Sequence, residues 1–428
     1  MIITYYWPPS GGSAVLRWFK FTKYLREFGW EPVIYTPLNP EPQEYDESLL
    51  NDIPPDTEII KTKIIEPYSL YKIITGKKQS DRLGVAMMDE AGKKSFLQKL
   101  SVWIRSNLFI PDPRVLWVNP SVRFLIGYLK KHPVDAVITT GPPHSMHLIG
   151  LKLKKRTGIK WVADFRDPWT NIDFYSKLKL TRRSDKKHRE LEKSVLKKAN
   201  HVITVSPGMT AEFKAYGISN ISTITNGFDE QPLQNTTTQV KDFVIVHLGS
   251  MPESRNPEIF WKAVSELLKI RPEFKASVKI RLIGKIDSVV RKSLKANAIE
   301  DYVSNESYIP HSETLKVLCE ASALLLVINN TPNSNGILTN KFFEYLSAKR
   351  PIIAVGPVNG DAAEILRESN AGRISEYDDA DGLKNYLSEL FDLYSQNKLV
   401  VEPGSIEKYS RKYLTSKLAG LLNDITSK

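Results

Sequence analysis

The sequence contains a single cysteine, Cys319, among 428 residues. One cysteine can form neither an intrachain disulfide nor a thiolate metal site, and it suits a reducing compartment. No run of residues approaches the roughly 20 apolar positions of a membrane-spanning helix. A Walker loop, a serine-hydrolase elbow and a dinucleotide-binding glycine fingerprint are also missing. These absences argue against a disulfide-stabilised domain, an integral membrane protein and several common enzyme classes.

The composition is that of a globular protein with excess positive charge. Hydrophobic residues make up 41% of the chain and aromatic residues 10%, which is too apolar for a disordered protein. Lys and Arg number 60 against 48 Asp and Glu, a net charge of +12. Such an excess favours an anionic partner: a phosphate ligand, a membrane surface or nucleic acid. The length predicts two domains.

Much of the positive charge lies between Lys177 and Lys198. A run of this kind is either a solvated helix face or a docking patch, and the sequence leaves both alternatives open. The candidate patch for a membrane or an acceptor consists of Arg182, Arg183, Lys186, Lys187 and Arg189.

Apolar runs that alternate with amphipathic segments predict two parallel α/β domains. In the first half, strands are expected at 2–5, 32–35, 136–139, 161–164, 202–205 and 221–225, with a helix at 144–157. In the second half, strands are expected at 243–248, 279–283, 323–328 and 352–355, with helices at 257–270, 312–319 and 338–348. The stretch 40–120 gives no clear pattern apart from an amphipathic segment near 96–108.

The same pattern predicts how the domains are divided. We expect a first domain at 1–230, a polar linker at 231–241 and a second domain at 242–405. An amphipathic helix at 406–428 is expected to pack back towards the first domain. In parallel α/β sheets ligands bind beyond the carboxyl ends of the strands, so the loops at those ends become the candidate sites.

The loop 328–336 follows an expected buried strand and leads into a helix. Its small and polar residues, together with free N–H groups at the start of the helix, suit a phosphate. Lys341 and Glu344 lie three residues apart on that helix and share a face. The cation can pair with a diphosphate, and the carboxylate can accept hydrogen bonds from a ribose. The alternative is an ordinary exposed ion pair.

A second loop, 249–256, follows the first expected strand of the second half. It carries Arg255, whose planar guanidinium suits a two-point contact with a phosphate. The alternative is a surface arginine with no ligand.

These residues resemble glycosyltransferase family 4, whose members are retaining enzymes of the GT-B fold that act on nucleotide sugars. The resemblance runs nearly from end to end. It is carried by the Gly11-Gly12 loop, Asn226-Gly227-Phe228-Asp229, the Gly249 loop and the stretch from Gly336 to Pro351. That stretch is similar to the family's donor motif, two glutamates separated by seven residues. Glu344 matches the second glutamate, which holds the donor ribose in the family.

The resemblance implies an α/β protein of the GT-B fold, with two doubly wound Rossmann-like domains facing a central cleft. It implies that the domain at 1–230 lies on the acceptor side and that the domain at 242–405 binds the nucleotide sugar. The implied donor-binding residues are Gly11, Gly12, Arg255, Asn335, Gly336, Ile337, Leu338, Lys341 and Glu344. Two departures predict a variant donor pocket. Gly336 stands where the first glutamate is expected, and the family's phosphate-binding Arg and Lys correspond to Ser250 and Arg255. Lys341 is expected to replace part of the missing charge.

Three residues of the first half are candidate catalytic residues: His144, Arg166 and Asp167. In the family a histidine near the position of His144 lies close to the transferred sugar, whereas a helix-capping or core histidine is the alternative. Asp164, Arg166 and Asp167 either contact a substrate or form an ion pair among themselves. Their stretch, Asp164 to Trp169, resembles bacterial members that build surface polysaccharides.

No metal and no cofactor are expected, since the nucleotide sugar is a substrate. Asp379 and Asp381 imitate a metal-binding pair but suit the start of a helix. His144 and His147 have no third ligand nearby in the sequence.

The expected function is therefore retaining transfer of a sugar from a nucleotide sugar to a glycan or lipid-linked acceptor, in the synthesis of a bacterial cell-surface polysaccharide. The alternatives are a sugar-nucleotide epimerase of the same fold and a non-catalytic nucleotide-sugar-binding protein. No nucleic-acid partner is expected. The expected location is cytoplasmic, with peripheral attachment to the inner face of the membrane.

Overall fold

The computed structural model describes residues 1–41, 44–66, 96–229, 242–307, 309–399, 401 and 403–427. The chain divides into two compact units: Met1–Thr225 with Leu414–Lys428, and Asn226–Tyr413. The Asn226-Gly227-Phe228-Asp229 motif therefore begins the second unit. The expected linker at 231–241 lies outside the described residues.

The first unit is built on a seven-stranded parallel sheet in the order β3-β2-β1-β4-β5-β6-β7. Ile2 of β1 pairs with Ile34 of β2 on one side and with Ile138 of β4 on the other. Every residue of β4 is buried, as expected where helices cover both faces of a parallel sheet. The strands are Ile2–Ile3 (β1), Val33–Pro37 (β2), Glu58–Thr62 (β3), Ala136–Gly141 (β4), Lys160–Phe165 (β5), His201–Thr204 (β6) and Ile221–Thr223 (β7).

Six helices of this unit precede the boundary at Thr225 in the described part of the chain. They are Ser13–Leu25 (α1), Phe96–Leu108 (α2), Val115–Lys131 (α3), Ser145–Thr157 (α4), Arg182–Lys198 (α5) and Pro207–Ala215 (α6). Helix α6 has a side-chain cap: Ser206 accepts a hydrogen bond from Met209 N, and Pro207 occupies the first turn.

The second unit contains a six-stranded parallel sheet in the order β10-β9-β8-β11-β12-β13. Its strands are Phe243–Leu248 (β8), Val278–Ile283 (β9), Val303–Glu306 (β10), Ala323–Val327 (β11), Ile352–Val355 (β12) and Gly372–Ser375 (β13). Its described helices are Glu258–Ile270 (α7), Pro272–Ser277 (α8), Ser288–Ala296 (α9), His311–Cys319 (α10), Asn340–Ser347 (α11), Asp361–Ser369 (α12) and Ala380–Ser395 (α13).

The last helix, Arg411–Thr426 (α14), returns to the first unit. Leu414, Leu418 and Leu422 are buried in the same hydrophobic cluster as Trp18 and Phe19 of α1. Trp30 also donates a hydrogen bond from Nε1 to the Asn423 side chain at 2.9 Å. A stripe of leucines on one helix face accounts for this packing.

Sequence patterning missed three strands, β3, β10 and β13, and all three are edge strands. An edge strand is covered on fewer sides, so it does not need the continuous apolar run that marks the central strands. The pattern also missed α3, whose helical periodicity is interrupted by Pro120.

Candidate functional site

Two glycines shape the loops after β8 and β9. Gly249 has a backbone φ of 99° and Gly284 a φ of 130°, both in the region that L side chains rarely adopt. A Cβ on Gly284 would lie 2.8 Å from the Gly249 carbonyl group. The Gly249 amide donates to the Ile283 carbonyl at 2.7 Å. The loops after these adjacent strands therefore pack backbone against backbone.

Arg255 lies in a short 3-10 turn, Glu253–Arg255, within the loop after β8. Its Nε donates to the side-chain oxygen of Asn329, which is 5% exposed and follows β11. The Asn329 carbonyl in turn accepts a hydrogen bond from the Tyr377 hydroxyl at 2.9 Å. This chain of contacts holds the guanidinium in place, and sequence reasoning did not identify Asn329 as its partner.

The amine of Lys341 is the most distinctive group at this edge of the sheet. Its Nζ is buried, has no hydrogen-bond partner among the described residues, and would lie 3.0 Å from a Cβ on Gly249. Burial, reinforced by the charge of Arg255, lowers its pKa to about 7, although Glu344 opposes the shift. A buried cation without a partner is costly, and a bound anion would relieve that cost.

Two buried side chains connect this edge of the sheet to its neighbours. His247 lies with Nδ1 2.9 Å from the Leu325 carbonyl, so Nδ1 is the donor. Burial and the charge of Lys341 hold its pKa well below the ordinary value, and the ring stays neutral. The Tyr345 hydroxyl accepts from the Leu248 amide at 2.8 Å and ties α11 to β8. Sequence reasoning missed His247, which occurs within an apolar strand.

The loop before α11 differs from the sequence expectation. Gly336 N donates to the Asn333 carbonyl and Ile337 N to the Ser334 carbonyl, each at 3.1 Å. These two amides are engaged within their own turn, so they are not among the free N–H groups expected for a phosphate. Asn335 is exposed and Leu338 is buried in the core. The helix itself begins at Asn340, two residues later than predicted.

In the first unit, His144 lies just before α4 and is 8% exposed. Its ring stacks on Trp169 at a centroid distance of 4.9 Å and an angle of 5°. Its Nδ1 has no hydrogen-bond partner among the described residues. Burial, helped by the positive charges nearby, lowers its pKa well below 6.5, so the ring is neutral near pH 7. His144 is thus a packed, neutral imidazole.

The cap of α4 comes from a residue that sequence reasoning did not select. Asp112 accepts hydrogen bonds from the Ser145 amide and from the Ser145 hydroxyl, each at 2.9 Å. A carboxylate at a helix N-terminus satisfies a backbone donor and complements the helix dipole. The His144 side chain makes no capping hydrogen bond.

Asp164 forms an ion pair, but its partner is Arg17 rather than Arg166. The fully buried Arg17 donates to both carboxylate oxygens at 2.8–3.2 Å. It also donates to the carbonyls of Ile224 and Thr225 at 2.8 Å. Asp164 accepts further hydrogen bonds from Trp18 Nε1 at 2.6 Å and Thr140 Oγ1 at 2.8 Å. Asp164 is therefore a structural residue.

Arg166 and Asp167 follow β5 with different surroundings. Arg166 donates to the Ala14 carbonyl at 2.9 Å and to the Pro142 carbonyl, so it connects the start of α1 to the turn before His144. Asp167 is exposed as a residue, but local burial of its carboxyl group raises the pKa, against the opposing charge of Arg166. The contacts of Arg166 give it an anchoring role near His144.

The Gly11-Gly12 loop precedes α1. The Gly11 amide donates to the Glu44 carbonyl at 2.8 Å, and a Cβ on Gly11 would crowd Asp46 at 3.2 Å. Gly12 has a φ of 82° and nothing within 4 Å of its Cβ position. The Gly11 amide is thus engaged within the first unit, while Gly12 provides the turn into the helix.

Helix α5 has a polar inner face and a basic outer face. On the inner face, Glu192 accepts from the amides of Trp169 and Thr170 at 3.2 Å, and His188 Nδ1 accepts from Trp169 Nε1 at 3.0 Å. This face holds the ring that stacks on His144. All five cations of the candidate patch are exposed on the outer face, where Arg189 pairs with Asp185 at 3.0 Å.

Asp379 caps α13 by accepting from the Gly382 amide at 2.9 Å, and Asp381 pairs with Lys384 at 2.9 Å. The prediction that these carboxylates serve a helix start is confirmed for Asp379. The described residues contain no cluster of three or more His, Cys, Asp or Glu suited to a metal ion. None of the described helices is both long and apolar enough to cross a membrane.

Two α/β units, built on parallel sheets of seven and six strands, have the architecture of the GT-B fold. A model of Glycosyltransferase Family 4 matches residues 14–231, and the chain belongs to this family. A second model, of Glycosyl transferases group 1, matches residues 242–393. The protein is a glycosyltransferase, as the sequence predicted. A sequence search of curated proteins finds no significant match.

Solved structures share the fold at low identity. Sucrose-phosphate synthase from Thermosynechococcus elongatus has a TM-score of 0.65 and 13% identity, over 100% of this chain and 98% of that one. WaaG, a glycosyltransferase involved in lipopolysaccharide biosynthesis, has a TM-score of 0.56 and 13% identity, over 98% of both chains. An E. coli structure of trehalose-6-phosphate bound with UDP-2-fluoro glucose has a TM-score of 0.61 and 10% identity, over 100% of this chain and 98% of that one. They show the fold alone.

Proposed function

We propose that this protein is a retaining glycosyltransferase that takes a sugar from a nucleoside diphosphate sugar and places it on a glycan or lipid-linked acceptor. The observation that carries the proposal is the buried amine of Lys341, which lies against Gly249 and has no hydrogen-bond partner in the described part of the chain. Arg255 is held in the same loop system by Asn329. Two cations at the carboxyl edge of a parallel sheet suit the two negative charges of a diphosphate.

In the proposed reaction, the bond between the anomeric carbon and the diphosphate oxygen breaks. The acceptor oxygen then bonds to the same face of the sugar. The acceptor proton passes to the departing diphosphate, so no protein base is required. Lys341 and Arg255 stabilise the charge that develops on the diphosphate. Glu344, one turn further along α11, accepts hydrogen bonds from the ribose.

We expect activity without a divalent metal, because Lys341 and Arg255 together can stabilise the charge on the diphosphate as a metal ion would. Asp379 and Asp381 do not offer a metal site, since one caps α13 and the other pairs with Lys384. Turnover should persist in EDTA. Complete loss that magnesium or manganese restores would refute this part of the proposal.

For the acceptor side we propose contact with an anionic membrane and a place in bacterial cell-surface polysaccharide synthesis. The similarity to WaaG, a protein of lipopolysaccharide biosynthesis, and the five exposed cations of α5 support this. Helix α2 lies beside them, because Asn107 accepts from the Thr181 amide at 2.7 Å. Leu100, Trp103 and Leu108 of α2 are 41%, 42% and 65% exposed. Exposed apolar side chains beside cations suit a membrane interface.

Vesicle sedimentation tests the membrane contact. Each Lys or Arg near an anionic surface contributes about 1 kcal/mol, screened by salt. Reversing the charges of Arg182, Arg183, Lys186, Lys187 and Arg189 should abolish binding to anionic vesicles and leave nucleotide affinity intact. Reversing Arg291, Lys292 and Lys295 of α9 is the control. If the wild type does not bind anionic vesicles at low salt, the basic face of α5 is only solvent-exposed and does not contact a membrane.

Incubation with labelled nucleotide sugars, with and without lipid-linked acceptors, tests the whole proposal against its alternatives. A transferase labels the acceptor and releases nucleoside diphosphate. An epimerase releases a modified free sugar without an acceptor. A binding protein leaves every nucleotide sugar intact.

A further inference from the structure

The chain passes between the two units at two places, and the segments beside these crossings pair within the second unit. The chain leaves the first unit after Thr225 and returns to it after Tyr413. Phe228 N donates to the Tyr409 carbonyl at 3.2 Å, and Arg411 N donates to the Phe228 carbonyl at 2.8 Å. Phe228 and Ser410 form an isolated parallel bridge. The segments 226–229 and 409–411 thus form one short paired strip.

The strip contacts the start of α11 at three points. Asn226 Nδ2 donates to the Leu338 carbonyl at 3.4 Å. Arg411 Nη2 donates to the Asn340 side chain at 3.2 Å. The rings of Tyr409 and Phe343 lie 5.4 Å apart. Asn226 is 8% and Arg411 3% exposed, and buried polar groups of this kind are fixed by their hydrogen bonds.

Leu338 and Asn340 are on either side of Thr339, the N-cap of α11. The next residue is Lys341, and Glu344 follows one turn later. Thr339 itself makes no side-chain capping hydrogen bond, so the direction of the first turn depends on contacts from outside the helix. The two hydrogen bonds from the strip hold the Leu338 carbonyl, just before the cap, and the Asn340 side chain, just after it.

We propose that Asn226 and Arg411 are positioning residues of the donor site: they hold the first turn of α11 so that the Lys341 amine stays against Gly249. Neither side chain needs to touch the donor. The diphosphate role of Lys341 rests on the proposed function, whereas the positioning of its amine does not.

Competitive labelling of lysine amines tests the positioning without any ligand. In the wild type, Lys341 should react with an apparent pKa of about 7 and slowly, because its amine is buried. In Arg411→Met and Asn226→Ala, the labelling rate of Lys341 should rise and its pKa should move towards the ordinary 10.5 of a lysine. Arg411→Lys, which keeps a charged donor, should recover part of the protection.

Calorimetry with nucleoside diphosphate adds the functional readout. Arg411→Met should weaken binding about tenfold, as expected for loss of one well-placed charged contact. In a Lys341→Met background, the same change should alter affinity less than about twofold, because the group that Arg411 positions is gone. Arg271→Met is the matched control. Arg271 joins α7 to α13 by donating to Ser388 at 2.8 Å and Asp392 at 2.6 Å, so its loss should lower stability alone.

Unchanged labelling of Lys341 in folded Arg411→Met would overturn the inference, as would an affinity loss that is equally large in the Lys341→Met background. Failure of the wild type to bind any nucleoside diphosphate would instead refute the proposed function. The labelling experiment would still decide the positioning.

Discussion

The Lys341 amine lies over the α-carbon of Gly249, so close that a Cβ there would come within 3.0 Å of Nζ. A glycine is needed at position 249 for two reasons: a Cβ would crowd the Lys341 amine, and the backbone φ of 99° is one that L side chains rarely adopt. We predict that Gly249→Ala displaces the amine and weakens nucleoside diphosphate binding. Backbone strain should also lower the free energy of unfolding by about 1–3 kcal/mol.

Gly420→Ala is the control for this change. Gly420 lies within α14, and nothing is within 4 Å of its Cβ position, so alanine there should stabilise the helix by about 0.5–1 kcal/mol. Calorimetry and urea denaturation of both variants provide the measurement. If Gly249→Ala binds nucleoside diphosphate as tightly as the wild type, Gly249 is not part of the phosphate site.

Lys341→Met should raise stability at neutral pH while it weakens nucleotide binding to a level that is still measurable. The pKa of Lys341 is about 7 in the folded protein against 10.5 in the unfolded chain, so the unfolded state holds this proton more tightly. Wild-type stability should therefore increase as pH rises from 7 to 10.5. The difference in free energy of unfolding between Lys341→Met and the wild type should be largest below pH 7 and should decrease between pH 7 and 10.5.

Urea unfolding of both proteins at about pH 6 and about pH 9 measures this difference. A stability advantage that does not change with pH would show that the Lys341 amine is already solvated.

Glu344→Ala should weaken nucleoside diphosphate binding by about 1.5–3 kcal/mol, the usual cost of losing a hydrogen bond to a charged group. Deoxyribose diphosphates should lose less than ribose diphosphates, because one of the proposed hydroxyl contacts is already absent. Glu364→Ala is the control, since Glu364 makes an exposed i,i+3 pair with Arg367 in α12. Equal affinities for wild type and Glu344→Ala would remove Glu344 from the site.

Asp164→Asn should destabilise the protein by about 3–5 kcal/mol, because it leaves the Arg17 guanidinium buried without its counter-charge. Burial alone would raise the pKa of Asp164, but Arg17, Trp18 and Thr140 together hold it below its ordinary value. The stabilisation is thus present above the unfolded pKa of about 3.9 and lost as pH falls through the folded value. Denaturation at neutral and acid pH measures it.

Asp381→Asn is the comparison for this variant, because its pair with Lys384 is exposed and should matter little. Similar losses in the two variants would contradict the structural role assigned to Asp164.

Local patterning identified the central strands and the residues Lys341 and Glu344, because apolar runs and i,i+3 spacing are visible within a short window. It could not pair Arg17 with Asp164, which are 147 residues apart, or Asp112 with Ser145, 33 apart. It also could not show that the amides of Gly336 and Ile337 turn inward, since loop hydrogen bonds depend on backbone conformation rather than composition. Three of the four edge strands, β3, β10 and β13, were missed because an edge strand needs no continuous apolar run.

The central claim is that Lys341 stabilises the departing diphosphate of a nucleotide sugar. The most direct measurement is the release of nucleoside diphosphate from a panel of nucleotide sugars by wild type, Lys341→Met and Glu364→Ala. Wild type and Glu364→Ala should cleave at least one donor at equal rates, and Lys341→Met should be slower by about a hundredfold or more, as for loss of one preorganised stabilising group. Cleavage of that donor by Lys341→Met at the wild-type rate would contradict the account.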